Sequence, residues 1–175
     1  MRVSDYILQR LADEGIDTAF TVYGGAISEL MDAFTRQDKI RYVCAQHEQA
    51  AGFMAEGYAK VKGVPGLAIA TSGPGGQNLV TAIANCYYDS VACIFITGQV
   101  STNLMRKTTE LRQFGFQECP IVDIVRPITK YAETVKNSNM IKYSLYLAIQ
   151  YCKEGRPGPV LLDIPGNIQK EEVND

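Results

Sequence analysis

The chain has 175 residues, 46% of them apolar and 21% charged, which is enough for one globular domain with a substantial core. A net charge of -2 provides no basic field for nucleic acid or an anionic membrane, and no apolar run reaches the roughly 18 residues of a membrane helix. Five cysteines without a CxxC pair, a single histidine and no signal-peptide pattern predict a cytoplasmic protein with reduced thiols and no metal site of its own.

Helical and strand-like periodicities alternate along the first half of the chain. A helix over 4–14 is predicted first, with Ser4 as its N-cap and Gly15 as its end. The pattern then predicts strands over 18–23, 40–45 and 67–71, each followed by a helix, over 27–34, 47–61 and 77–87. Because the strands are almost continuously apolar, this order is typical of a parallel sheet that is covered on both faces.

The second half continues the alternation with one interruption. Strands are predicted over 91–97, 132–135 and 160–164, with a helix over 140–152, whereas the polar segment 101–119 is predicted to be a long functional or mobile loop. After Pro165 the pattern dissolves, so we predict one domain over residues 1–168 and a polar tail, or the start of a linker, over 169–175. The expected fold is a doubly wound α/β domain whose six parallel strands are flanked by helices.

Glycines follow the strand predicted over 67–71. Ligands of open parallel sheets bind beyond the carboxyl ends of the strands, and Gly73, Gly75 and Gly76 would let the main chain approach such a ligand closely. Neither a P-loop nor a GxGxxG pattern is present, so a nucleotide-binding domain is a poorly supported alternative. A tight strand-to-helix turn without any binding role explains the same glycines equally well.

Glu48 lies at the opening of a predicted helix whose residues 50–55 are all small or apolar. One interpretation is a helix-start acid that the helix dipole stabilises by about 0.3–1 kcal/mol. The other is a carboxyl that donates or accepts a proton against a buried ring nitrogen. For the neighbouring His47, a solvent-facing or packing role is the more common one, and a catalytic role is the alternative.

Seven short motifs follow one another along nearly the whole chain. They occupy residues 47–59, which begin His47-Glu48-Gln49, and then 70–75, 78–81, 96–100, 116–118, 126–130 and 155–160. In this order they resemble the amino-terminal, pyrimidine-binding domain of thiamine-diphosphate enzymes, and among these the large subunits of acetolactate synthases. The resemblance also implies the thiamine-diphosphate-binding version of the α/β fold.

The resemblance implies roles for individual residues. Glu48 would hydrogen-bond N1′ of the cofactor's aminopyrimidine, and its proton transfer would activate the cofactor for decarboxylation of a 2-oxo acid and carboligation. The residues implied to bind the cofactor are Tyr23, Gly24, Glu48, Pro74, Asn78 and Gln117. Those implied to face the substrate entrance are Gly25, Ala26, Phe116 and Lys130.

Two features depart from the family pattern. The first glycine turn of the family commonly reads Tyr-Pro-Gly-Gly, whereas this chain has Val22-Tyr23-Gly24-Gly25. The Gly-Asp-Gly motif of the family's diphosphate domain does not occur, so the resemblance implies that Mg²⁺ and the diphosphate are held by a partner domain or subunit in a homo- or hetero-oligomer, such as a dimer. The alternative is a non-catalytic interaction or regulatory module that retains the fold.

Overall fold

The computed structural model describes residues 1–108 and 110–173, and its centre is a parallel sheet. The strands are β1 (Thr18–Thr21), β2 (Arg41–Cys44), β3 (Gly66–Ala70), β4 (Cys93–Gln99), β5 (Tyr131–Thr134) and β6 (Pro159–Pro165). They form one six-stranded sheet in the order β2-β1-β3-β4-β6-β5, and every neighbouring pair is parallel. The predicted parallel six-stranded α/β fold is therefore confirmed.

Helices cover both faces of this sheet. In chain order they are α1 (Val3–Asp13), α2 (Ser28–Ala33), α3 (Glu48–Lys62), α4 (Pro74–Asn78), α5 (Val80–Asp89), α6 (Ile121–Val125), α7 (Ile141–Lys153) and α8 (Gly166–Lys170). One core joins α1, α2, α7 and α8 to the sheet, and a second joins α3, α5 and α6 to the opposite face. Along the described residues, none of the helices is both long and apolar enough to cross a membrane.

Strand β3 shows how the sequence supplies both cores. Leu67 and Ile69 belong to the first core, whereas Ala68 and Ala70 belong to the second, because successive strand residues point to opposite faces. All of its residues are buried, as expected for a strand with helices on both sides. The small alanines face α3, which packs closely on this strand.

The order of the first three strands determines where a ligand can bind. Strands β1 and β3 are neighbours, and the connection that leaves β1 runs to β2 on one side, whereas the connection that leaves β3 runs to β4 on the other side. In open parallel sheets such a topological switch point opens a crevice beyond the carboxyl ends of the strands. The residues that follow β1, β2 and β3 surround this crevice.

Local details at the helix starts differ from the prediction. Ser4 is not an N-cap but lies inside α1 and is fully buried, since the helix begins one residue after Arg2. The helix predicted over 77–87 is split into α4 and α5 at Leu79, whose amide bonds to the carbonyl of Gly76 three residues earlier. Gly15, with φ +83°, confirms the predicted end of α1.

The chain continues to pack after Pro165, so the expectation that regular structure ends there is wrong. Helix α8 follows immediately, and Gln169 is fully buried within it. The segment then pairs with the amino terminus, where the amide of Val3 donates to the carbonyl of Glu171. A single helical turn held by distant contacts leaves no periodic signal. The domain boundary at 168 stays a prediction, and Asn174 and Asp175 of the predicted tail lie outside the described residues.

Candidate functional site

The carboxylate of Glu48 stands at the edge of the crevice because α3 begins there. Strand β2 ends at Cys44, and His47 adopts an extended conformation and caps the helix through its Nδ1, which accepts from the amide of Gln49 at 3.2 Å. The exposed His47 therefore has a structural role in the first turn. This cap directs the half-buried Glu48 towards the connection after β3.

Asn78 and Gly75 form the opposite wall around this carboxylate. The amide Nδ2 of Asn78 donates to Oε2 of Glu48 at 2.8 Å. A Cβ on Gly75 would lie 3.3 Å from Oε1 of Glu48 and 2.7 Å from Cγ2 of Thr71. Across residues 1–108 and 110–173, no protein group donates to Oε1. One oxygen of Glu48 is thus anchored, while the other remains available to a ligand.

The glycine turn after β3 makes a close contact with the loop predicted over 101–119. Gly73 has φ +60° and ψ -122°, and a Cβ there would lie 2.6 Å from the carbonyl oxygen of Gln117. Gln117 itself has φ +61°, in the left-handed region that non-glycine residues seldom adopt. The structure therefore brings Gln117 to the glycine turn that carries Pro74 and leads to Asn78.

The turn after β1 is held against the same connection. A Cβ on Gly24 would lie 2.4 Å from Cβ of Thr71, so only glycine allows this approach. The amide of Ala26 donates to Oγ1 of Thr71 at 3.2 Å. Tyr23, which is 64% exposed, precedes this contact and leaves its ring at the surface beside the crevice.

A cavity of about 500 Å³ lies next to these turns. Four of the residues predicted for the site line it, namely Gly25, Ala26, Phe116 and Gln117. Thr71, Gln99 and Lys170 also line it, so it opens at the carboxyl ends of β3 and β4. The structure thus gathers these residues at the same edge of the sheet as Glu48.

Lys130 is the one predicted site residue that the structure does not bring to this edge. It directly precedes β5, and its amide donates to the carbonyl of Pro159, the first residue of β6. Its Nζ bonds to the carbonyl of Glu154. Because all strands are parallel, Lys130 lies at the amino-terminal edge of the sheet, opposite the crevice.

Another carboxylate, the fully buried side chain of Asp163, lies near the end of β6. Its side chain accepts from Oγ1 of Thr97 at 2.8 Å, from Nε2 of Gln99 at 3.0 Å and from Oγ1 of Thr134 at 3.1 Å. Burial raises the pKa of Asp163 to about 6, and the three hydrogen bonds oppose this rise. Within the described part of the chain, no group of three or more acidic, histidine or cysteine side chains is arranged to hold a metal ion.

Sequence reasoning missed two residues that shape the site. Thr71 contacts both glycine turns, and Glu118 accepts hydrogen bonds from main-chain amides of the loop that carries Gln117. Both belong to the motifs quoted above, but only their neighbours received a role. A hydrophobic pattern cannot reveal them, because Thr71 acts through a distant segment and Glu118 through hydrogen bonds within an irregular loop, and neither kind of contact is periodic.

Comparison with known proteins agrees with this geometry. Residues 1–124 match the family model for the thiamine pyrophosphate enzyme N-terminal TPP binding domain. The chain is 42% identical over 168 residues to the chloroplastic acetolactate synthase of Arabidopsis thaliana, with 96% of this chain and 24% of the relative covered. It is 42% identical to the acetolactate synthase large subunit of Corynebacterium glutamicum, over 96% of this chain and 26% of the relative.

The large subunit of Haemophilus influenzae acetolactate synthase is 39% identical, over 98% of this chain and 28% of that protein. The chain thus spans about a quarter of the length of the curated relatives it matches. The match extends over the strands, helices and glycine turns that build the crevice. This chain belongs to the family of N-terminal thiamine-pyrophosphate-binding domains of thiamine pyrophosphate enzymes.

Proposed function

We propose that this domain provides half of the active site of an acetolactate synthase-like enzyme, which decarboxylates a 2-oxo acid and joins the product to an acceptor. The observation that carries the proposal is the pair Glu48–Asn78 at the topological switch point, with Oε1 of Glu48 available to a ligand. Thiamine diphosphate, when bound, supplies the electron sink that this decarboxylation requires.

Glu48 is the proposed catalytic residue and acts through its proton. Its half-buried carboxyl would bind a ring nitrogen of the aminopyrimidine through Oε1, while Asn78 holds Oε2. A fixed carboxyl at hydrogen-bond distance can both donate and accept a proton there. Gly75 leaves the space beside Oε1 free, so the residues present fit the pyrimidine end of the cofactor.

Other residues would shape the remainder of the pocket. We assign Tyr23, Gly24, Pro74 and Gln117 to cofactor binding, and Gly25, Ala26 and Phe116 to the substrate side, where they border the cavity of about 500 Å³. A cavity of this volume has room for a small 2-oxo acid. Lys130 is left out of the proposal because it lies at the opposite edge of the sheet.

The proposed enzyme requires a partner domain or subunit. Mg²⁺ and the diphosphate would be bound there, in a homo- or hetero-oligomer such as a dimer that places Glu48 against the cofactor. All five cysteines are free, which supports a reducing compartment such as the cytoplasm.

Calorimetric titration of thiamine diphosphate with Mg²⁺ tests the proposal, first into this chain and then into its mixture with the diphosphate-binding domain. Binding only in the mixture is the expected result. The absence of binding in both would contradict the proposal and favour a non-catalytic interaction module.

The role of Glu48 is tested by replacement with glutamine in the reconstituted enzyme. Glu48→Gln should leave the fold intact and abolish exchange of the cofactor's C2 proton, because an amide cannot supply the carboxyl proton. Glu29→Gln is the matched control, since Glu29 also lies in the first turn of a helix but faces Arg2 and Lys170. Exchange at the wild-type rate in Glu48→Gln would show that another group activates the cofactor.

A further inference from the structure

We propose that Glu118 is a positioning residue that closes the loop over residues 104–118 and holds Phe116 and Gln117 at the mouth of the cavity. The inference rests on the proposed function, in which this cavity admits the 2-oxo acid. Glu118 does not line the cavity, so its effect must pass through the loop.

The carboxylate of Glu118 binds main-chain amides from both ends of this loop. Oε1 accepts from the amide of Arg106 at 2.7 Å, and Oε2 accepts from the amide of Phe114 at 2.8 Å and, more weakly, from that of Gly115 at 3.4 Å. Glu118 is only 9% exposed, and among the described residues no cation pairs with it. Main-chain amides of the loop itself therefore balance its charge. These hydrogen bonds join position 106 to positions 114 and 115.

The main chain of Glu118 closes the turn that carries the two cavity residues. Its amide donates to the carbonyl of Gly115 at 3.0 Å, so Phe116 and Gln117 lie at the centre of a four-residue turn. A Cβ on Gly115 would lie 2.7 Å from the carbonyl oxygen of Leu104, which shows how closely the loop ends approach.

This turn keeps Gln117 in an unfavourable conformation. A non-glycine residue at φ +61° costs about 1–2 kcal/mol and persists only where its surroundings impose it. Phe116 is 86% exposed, so packing within the described chain does not fix its ring. The main-chain position of both residues therefore depends on this turn, which the Glu118 carboxylate ties to position 106.

The separation between Glu118 and Glu48 predicts a specific kinetic effect. Glu48 is held by its own helix start and by Asn78, neither of which Glu118 contacts. Because Gln117 is assigned to the cofactor and Phe116 to the substrate side, the effect on substrate is measured at saturating thiamine diphosphate. There, loss of the Glu118 contacts should weaken substrate binding and raise KM while kcat changes much less.

Amide hydrogen exchange tests the loop closure without any ligand. In Glu118→Gln, one carboxylate oxygen becomes an NH₂ group that faces an amide donor. Amide hydrogen exchange at Arg106 or at Phe114 should therefore rise by about tenfold or more, as expected for the loss of one hydrogen bond to a charged group. Glu110→Gln removes the same charge from an exposed position of the same loop and should leave that exchange unchanged. Equal exchange in the two variants would overturn the inference.

Exchange at β4 reports whether the variant still folds. Should Glu118→Gln lose protection there, Glu118→Asp provides the second variant, because it keeps the charge but withdraws both oxygens by one methylene. Glu118→Asp should also raise exchange at Arg106, Phe114 or Gly115, and wild-type exchange at all three would overturn the inference.

Steady-state kinetics with pyruvate, in the enzyme reconstituted with its diphosphate-binding domain, test the link to the cavity. An increase in KM with nearly unchanged kcat in Glu118→Gln supports the positioning role, whereas an unchanged KM despite faster exchange would overturn it. Failure of the wild-type mixture to bind thiamine diphosphate would refute the proposed function and the positioning role that rests on it. Amide hydrogen exchange in this chain would still report separately whether Glu118 closes the loop.

Discussion

Replacement of Asp163 by asparagine should change how the stability of the domain depends on pH. Asp163 is 1% exposed, and burial raises its pKa from 3.8 to about 6. The folded protein therefore holds the carboxyl proton of Asp163 more tightly than the unfolded chain does. The contribution of Asp163 to the free energy of unfolding is fully present below pH 4 and is lost as the pH rises from about 4 to about 6.

The difference between these two pKa values sets the size of the effect. At 1.36 kcal/mol for each pH unit, it amounts to about 3 kcal/mol, which is an upper value for a single group. Asparagine has nearly the same shape and cannot ionise. The oxygen of the new side chain can accept from Gln99 and Thr134. Its NH₂ group can donate to the hydroxyl oxygen of Thr97 once the Thr97 hydroxyl rotates so that its own hydrogen points away.

Urea unfolding at pH 4 and at pH 7.5 measures this effect. Relative to the wild type, Asp163→Asn should gain up to about 3 kcal/mol in stability between pH 4 and pH 7.5. Asp123→Asn is the control, because the side chain of Asp123 is 72% exposed and lines the same surface pocket as Asp163, a pocket distinct from the cavity beside Glu48. A difference between Asp163→Asn and the wild type that is the same at both pH values would refute the reasoning.

Two further predictions concern packing and acid stability. Gly75→Ala should lower the free energy of unfolding in urea by about 1–3 kcal/mol, because the new Cβ would lie 2.7 Å from Cγ2 of Thr71. Gly57→Ala is the control, because no atom lies within 4 Å of its Cβ, and it should stabilise α3 by about 0.5–1 kcal/mol. Equal effects of the two would contradict the close contact. The hydroxyl of Tyr58 and the ammonium of Lys62 lower the pKa of Asp17 to about 2, so stability from Asp17 should be lost as the pH falls from about 4 to about 2. Tyr58→Phe should raise the midpoint of acid unfolding, and an unchanged midpoint would contradict this contribution.

The sequence by itself determined the fold class and the neighbourhood of the site. Runs of buried residues such as Gly66–Ala70, alternating with amphipathic helices, are local signals that specify a parallel sheet. Such a sheet collects the residues after its strands at one edge. For this reason Glu48 and Gly73 could be identified as site candidates from their position in the chain.

Only the tertiary structure decided which side chains meet. The bond between Asn78 and Glu48 links the starts of two connections that are 30 residues apart, and Lys130 precedes its strand and so lies at the wrong edge. The roles of Glu118 and Asp163 were not visible either. A buried carboxylate is tolerated only where hydrogen-bond donors from other segments converge on it, and hydrophobic periodicity contains no information about that convergence.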